Sequence, residues 1–235
     1  MNFDFNEEQT MIMDGIARYI REEYDFDRRR SIIESDSAYS DDVWRQFSEL
    51  GWLSIPFDES YGGFGGHADD LAGVMLELGK GLIIEPYMST VVVFGSLLNA
   101  SNNDSLKEQL IPRIINGQYK GSFAYAEEQS RFEISDVKTS AQKCGDGYKL
   151  NGTKIAVIDA KESDGLIVTA RTGGSQYGAE GISLFLVDTS AEGVAVSSYN
   201  TMDSHSSSTI NLENVFVTEA NLIVHEGEGF RHIES

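Results

Sequence analysis

The feature that most constrains the fold of this chain is a change in the spacing of its apolar residues near residue 120. Before that point apolar side chains recur every three or four residues, as on the buried face of a helix. After it they alternate every second residue, in short runs between glycine-rich turns, as in half-buried strands. The pattern therefore predicts an α+β protein, an all-α part followed by a β part.

Capping signals locate the first helices of the N-terminal half. Asn6, with Gln9 three residues later, forms a capping box for a first helix. Ser40 is the expected N-cap of a second helix, which Gly51 can end in the left-handed conformation. Both helices carry their apolar residues on one face and are expected to bury it.

Three more helices are predicted before residue 120. Apolar stripes cover residues 71–78 and about residues 89–99. Ser105 and Glu108 form a capping box for the last of the three, and Pro112 should kink or split it.

The second half predicts a small antiparallel barrel or sandwich, because its strands are short and closely spaced. Asn151-Gly152 is a tight-turn signal between two of these strands. We expect a helical domain over residues 1–120, a β-domain over residues 121–226, and the start of a truncated helical domain over residues 227–235.

The net charge of the chain limits the classes of partner that it is expected to bind. It has 18 Lys and Arg against 38 Asp and Glu, a formal net charge of −20. Such a surface repels phosphate backbones and anionic lipid, so nucleic acid and membranes are not expected partners. The single cysteine, Cys144, excludes a disulfide framework, and the N-terminus lacks the features of a signal peptide, so we expect a cytoplasmic protein.

Local motifs identify neither a catalytic site nor a metal site. The glycine cluster at residues 62–66 lacks the spacing of a phosphate-binding loop, and the four histidines lack metal-ligand spacing. Residues 203–206 hold Asp, Ser and His, but such close neighbours seldom reach triad geometry. Residues 131–171 carry seven basic and six acidic side chains, so an anionic ligand would be attracted, if anywhere, to this region of the β-domain; an ordinary charge-balanced, solvated surface explains the same pattern slightly better.

Seven segments, in this order and spread over nearly the whole chain, resemble the acyl-CoA dehydrogenase family: residues 44–53, 61–65, 106–117, 151–154, 214–217, 221–223 and 227–230. Residues 126–132 and 166–172 look most like the small subunit of pimeloyl-CoA dehydrogenase-type enzymes. The resemblance implies an N-terminal helical domain and a middle β-barrel, with the family's C-terminal helical domain absent.

The resemblance also implies a chemistry. Family members use FAD to dehydrogenate an acyl-CoA thioester at its α and β carbons, with a glutamate as the base. That glutamate usually lies in the C-terminal domain and matches no residue here, so no catalytic residue is assigned. We expect this chain alone to be inactive, to form a homo- or hetero-oligomer, and to pass electrons to an acceptor that the sequence does not identify.

The same resemblance assigns the flavin site. The family's ring-contacting strands fall on two segments of this chain, and the implied cofactor-binding residues are Tyr125, Ala126, Glu127, Ser130, Arg131, Ala156, Val157 and Ile158. Ala156 lacks the aromatic wall that the family has there, and Ile158 lacks a hydroxyl. Phe132 stands where the family has a ligand-contacting serine.

Two alternatives stay open, and these losses motivate the first of them. The chain could be a non-catalytic structural or acyl-binding subunit of a heteromeric dehydrogenase. It could also be an unrelated two-domain interaction module, in which case the β-domain would lack the family's topology.

Overall fold

The computed structural model describes residues 5–35, 37 and 39–235, and it confirms the predicted order of a helical part followed by a β part. The helices of this described part are α1 (Glu7–Glu23), α2 (Phe26–Ile33), α3 (Asp41–Glu49), α4 (Ala68–Lys80), a π-helix (Met88–Phe94), α5 (Gly95–Asn99), α6 (Asp104–Ile115) and α7 (Gly229–Glu234). None of these helices is both long enough and apolar enough to cross a membrane.

The first two predicted helix starts are confirmed. The Asn6 side chain accepts the Gln9 N–H at 2.8 Å, and the Gln9 side chain accepts the Asn6 N–H at 2.9 Å, which completes the capping box of α1. Ser40 caps α3, and Gly51 follows that helix in the left-handed conformation with φ +78°. Local hydrogen bonding explains both starts, since the cap satisfies backbone donors that a helix leaves free.

The predicted capping box of the last helix before residue 120 is wrong. The N-cap of α6 is Asn103, not Ser105, and its side chain accepts the Leu106 N–H at 3.1 Å. The Asn103 amide also donates to the carbonyls of Ala220 and Leu222, so long-range bonds to the β part select the cap.

Two other helices differ from expectation. Pro112 does not split α6, because the burial of Leu110, Ile111 and Ile114 on either side of it offsets the cost of the missing backbone donor. The helix expected over residues 89–99 is present, but its first part has π-helical pitch.

The sheet has seven strands: β1 (Gly121–Ala124), β2 (Ser140–Cys144), β3 (Gly147–Ile158), β4 (Gly165–Arg171), β5 (Ile182–Asp188), β6 (Val194–Asn200) and β7 (Ser206–Thr218). Their order is β1-β4-β2-β3-β7-β6, and β5, which is outside this path, pairs antiparallel with β4. The sheet is mixed, because β4 pairs in parallel with β1 and, at one bridge, with β2, whereas the sequence predicts antiparallel pairing throughout.

The tight turn predicted at Asn151-Gly152 is also absent. Both residues lie inside β3, where the register against β7 shifts between Leu150 and Gly152. A Cβ at Gly152 would collide with Thr139, so this glycine permits close strand approach at a bulge rather than a reversal of the chain.

Two hydrophobic clusters hold the molecule together. One joins the helices to residues of β4 and β5, among them Ile167 and Leu184, and the other fills the curled sheet. Because neighbouring β4 residues Ile167 and Val168 point to opposite faces, this strand contributes to both clusters. The junction of the helical and β parts is therefore an ordinary buried interface.

Candidate functional site

A cleft of about 220 Å³ opens where the π-helix faces the sheet. The π-helix forms one wall, and the ends of β1 and β3 form the other; the lining residues are Met88, Ser89, Val93, Phe123, Tyr125, Ala156 and Ile158. Three of the eight residues that the family resemblance assigns to a flavin site, Tyr125, Ala156 and Ile158, thus lie together on one surface.

A β-bulge presents the β3 wall to this cleft. Three residue steps from Lys154 to Val157 are matched by only two on β7, and Ala156 in the bulge has φ +52°. A left-handed conformation at a residue other than glycine is strained and is common at functional sites. Beyond the bulge Val157 lies in the barrel core, whereas Ile158 is 42% exposed beside the cleft.

Aromatic rings form the wall contributed by β1. Phe123 and Tyr125 are two residues apart, share one face of the chain, and stack with ring centroids 5.1 Å apart at 23°. Tyr125 is 41% exposed and Met88, opposite it on the π-helix, is 43% exposed. An apolar cleft with flat walls of this kind suits a planar ring system.

One backbone donor near the cleft is free. The Ala126 carbonyl accepts the Ile155 N–H at 2.9 Å, but within the described part of the chain the Ala126 N–H has no acceptor. An unpaired amide beside an apolar cleft fits a ring whose edge carries carbonyl acceptors, and the isoalloxazine of FAD has such an edge.

The carboxylate of Glu127 faces away from the cleft, into the protein. It accepts the Lys154 Nζ at 2.7 Å and the N–H groups of Lys138 and Thr139 at 2.8 and 3.0 Å. Burial opposes its charge, but the Lys154 charge and these bonds dominate and lower the pKa of Glu127 to about 2. Burial lowers the pKa of Lys154 to about 8, although the charge of Glu127 acts to raise it.

Ser130 and Arg131, also assigned to the flavin site, lie in the turn after Glu127. The Ser130 hydroxyl donates to the Glu127 carbonyl at 2.9 Å and accepts its N–H at 3.0 Å. Arg131 is exposed with φ +51°, and the next residue, Phe132, is fully exposed. Neither Ser130 nor Arg131 lines the cleft, so their contact with a cofactor stays a prediction.

Sequence reasoning missed four lining residues: Met88, Ser89, Val93 and Phe123. The orientation of the first three depends on the π-helical pitch of their segment, which no residue pattern predicts. Such π-helical segments are frequent at functional sites. Phe123 was accessible from sequence, because the period of two that makes Tyr125 face the cleft applies to it as well.

A second cleft of about 260 Å³ adjoins the first, and Met88 lines both. His205 lies on its wall with Nδ1 3.8 Å from Asp159 Oδ1, and this carboxylate raises the pKa of His205. Asp159 also accepts the Ser89 hydroxyl at 2.7 Å, which links the two clefts.

The chemistry available in the first cleft is limited. Its lining, as far as the structure describes it, contains no carboxylate that could act as a base. No cluster of three or more His, Cys, Asp or Glu side chains able to hold a metal ion occurs among the described residues.

Comparisons with known proteins agree with this architecture. A sequence model described as "Acyl-CoA dehydrogenase, N-terminal domain" matches residues 6–118, and one described as "Acyl-CoA dehydrogenase, middle domain" matches residues 122–215. The probable acyl-CoA dehydrogenase YngJ of Bacillus subtilis is 30% identical over 98% of this chain and 62% of its own length.

Solved structures have the same fold. A chain from the structure described as the electron transferring flavoprotein of Acidaminococcus fermentans has a TM-score of 0.87 and 27% identity, over 99% of this chain and 62% of its own. The FAD complex of PigA has a TM-score of 0.89 at 24% identity, over the same shares. This chain spans about three fifths of the length of these proteins. It belongs to the acyl-CoA dehydrogenase family, of which it carries the N-terminal and middle domains.

Proposed function

We propose that this chain binds FAD in the cleft between the π-helix and β3, and that it forms the flavin side of an acyl-thioester dehydrogenase site. One observation carries the proposal: Tyr125, Ala156 and Ile158, assigned to the flavin by resemblance, converge on one apolar cleft beside the unpaired Ala126 N–H. The FAD complex of PigA supports the proposal at the level of the fold.

Bound FAD would supply the hydride acceptor of a dehydrogenation. The chain would contribute placement: the stacked rings of Phe123 and Tyr125 would exclude water on one side of the cofactor, and the Ala126 N–H would donate to its ring edge. Ser89 is oriented by Asp159 at the opposite wall, where a thioester substrate would enter.

We propose acyl-CoA as the substrate class, in keeping with the description of the relative YngJ. Because the described cleft lining contains no carboxylate, the base that removes the α-proton is assigned to sequence outside the two domains or to a partner chain. If a partner chain supplies this base, the active protein is an assembly of two or more chains.

The test is a titration of the purified full chain with FAD, followed by absorbance near 450 nm, about where flavins absorb. We expect saturable binding, and weaker binding by Tyr125→Ala. Tyr177→Ala is the matched control, because Tyr177 is 70% exposed and lies away from the cleft. Absence of FAD binding by the wild type, alone and with any co-purifying chain, would refute the proposal.

A second candidate is a non-catalytic subunit of a heteromeric dehydrogenase. The absence of a carboxylate from the described lining, together with small Ala156 and apolar Ile158 at the ring-facing positions, favours it. In that case the chain would co-purify with a dehydrogenase whose own sites account for all bound flavin. More bound flavin than the partner's own sites can hold would exclude this second candidate.

A further inference from the structure

Lys154 is an unusual charged residue, because its side chain is completely buried. A buried ammonium needs strong partners, and exchange of a buried ion pair for apolar residues often leaves a protein as stable as before. The presence of this pair therefore calls for an explanation other than stability.

The hydrogen bonds of Lys154 join separate segments. Its Nζ donates to Glu127 Oε1 at 2.7 Å, to Thr169 Oγ1 at 2.7 Å and to the Tyr125 carbonyl at 3.3 Å. Glu127 in turn accepts the N–H groups of residues 138 and 139. The pair thus connects β3, β4, the chain before β2 and the segment after β1.

These contacts set the direction of one peptide group. The Tyr125–Ala126 peptide is trans, like every described peptide, so its N–H points opposite to its C=O. Lys154 and Thr169 both donate to that C=O, and Ile155 holds the next carbonyl, that of Ala126. The unpaired Ala126 N–H is therefore directed away from Lys154 and cannot rotate freely.

We propose that the buried Lys154–Glu127 pair is a positioning element, which holds the Tyr125–Ala126 peptide so that the Ala126 N–H is a fixed donor to the edge of the flavin ring. This inference rests on the proposed FAD site. It makes Lys154 a positioning residue that acts from behind the cleft and touches no ligand itself.

The test uses the full chain with the double substitution Lys154→Met and Glu127→Gln, which removes both charges at once. Single substitutions would leave a buried charge without a partner and endanger folding. Lys143→Met is the matched control, because Lys143 pairs with Glu219 at 2.9 Å on the protein surface.

Two readouts separate positioning from general stability. In variants that circular dichroism shows to be folded, amide hydrogen exchange without flavin should accelerate at least about tenfold at positions 127 and 155 in the double variant only, because these two N–H groups are bonded to the Ser130 hydroxyl and the Ala126 carbonyl and lose protection when the segment loosens. Its FAD affinity should fall about tenfold, as the loss of one fixed hydrogen bond predicts, and the absorbance band of the bound flavin should shift.

Each outcome decides a different point. The inference is overturned if the folded double variant has the same exchange rates, the same FAD affinity and the same flavin absorbance band as the wild type. The FAD proposal would remain intact in that case. If the wild type binds no FAD, the proposed function fails and the assignment of the donor to a flavin fails with it.

Discussion

The buried Glu127 predicts a specific loss of stability in acid. Its pKa is lowered from 4.5 to about 2 in the folded chain, chiefly because the charge of Lys154 outweighs the cost of burial. A carboxyl whose folded pKa is depressed stabilises the protein above its unfolded pKa, and this contribution is lost as the pH falls toward the folded value. Between pH 6 and pH 3 the loss from Glu127 is about 2 kcal/mol.

Urea denaturation at several pH values from 6 to 3 measures this quantity as the free energy of unfolding. The chain has 38 acidic residues, so the wild type must be compared with a variant that keeps the other carboxyls. The double variant E127Q/K154M serves, because Lys154, with a pKa of about 8, does not titrate in this range.

The stability difference between wild type and double variant should change by about 2 kcal/mol from pH 6 to pH 3, in the direction that disfavours the wild type in acid. Parallel curves for the two proteins would refute the reasoning, because they would mean that Glu127 titrates alike in the folded and unfolded states. The single variant K143M should run parallel to the wild type, since Lys143 is on the surface.

Three further predictions concern the scaffold. Gly152→Ala should destabilise the chain by about 1–3 kcal/mol in urea, because the added methyl group meets Thr139, and an unchanged midpoint would contradict the bulge packing. Asn103→Ala should cost about 1–2 kcal/mol by thermal denaturation, since it removes the α6 cap and two bonds to the β part; a loss no larger than that of an exposed Asn would refute the anchoring role. The Asp159 carboxylate raises the pKa of His205, so stability from this pair should be present below pH 6.5 and disappear as the pH rises through the folded pKa; His205→Gln should abolish that dependence, and NMR titration of His205 to a pKa at or below 6.5 would contradict it.

Several elements could be predicted because their signals are local. The α1 capping box and the Ser40 cap need only residues within one turn, and alternation needs only neighbours in the strand. The cap of α6 was missed because its selection depends on bonds from Asn103 to residues more than a hundred positions away.

The same distinction applies to the cleft. Tyr125, Ala156 and Ile158 were assigned through family resemblance, and the structure brings all three to one wall. Met88 and Ser89 on the opposite wall were not assigned, because the π-helical pitch of their segment has no local sequence signal and its contact with β1 is visible only in the folded chain. The turn prediction at Asn151-Gly152 was wrong for a related reason. A dipeptide that favours a turn is also compatible with a bulge, and the contact with Thr139 that requires glycine here exists only in the folded chain.

The amino-acid sequence by itself determined the succession of a helical and a β part, the acidic surface and the family, because spacing, charge and ordered motifs are properties of the chain alone. Only the tertiary structure decided the mixed pairing of β4, the burial of Lys154 against Glu127, and the unpaired Ala126 N–H beside the cleft. Each of these depends on groups distant in sequence that meet only when the chain is folded, and their energies are set by the burial that folding creates.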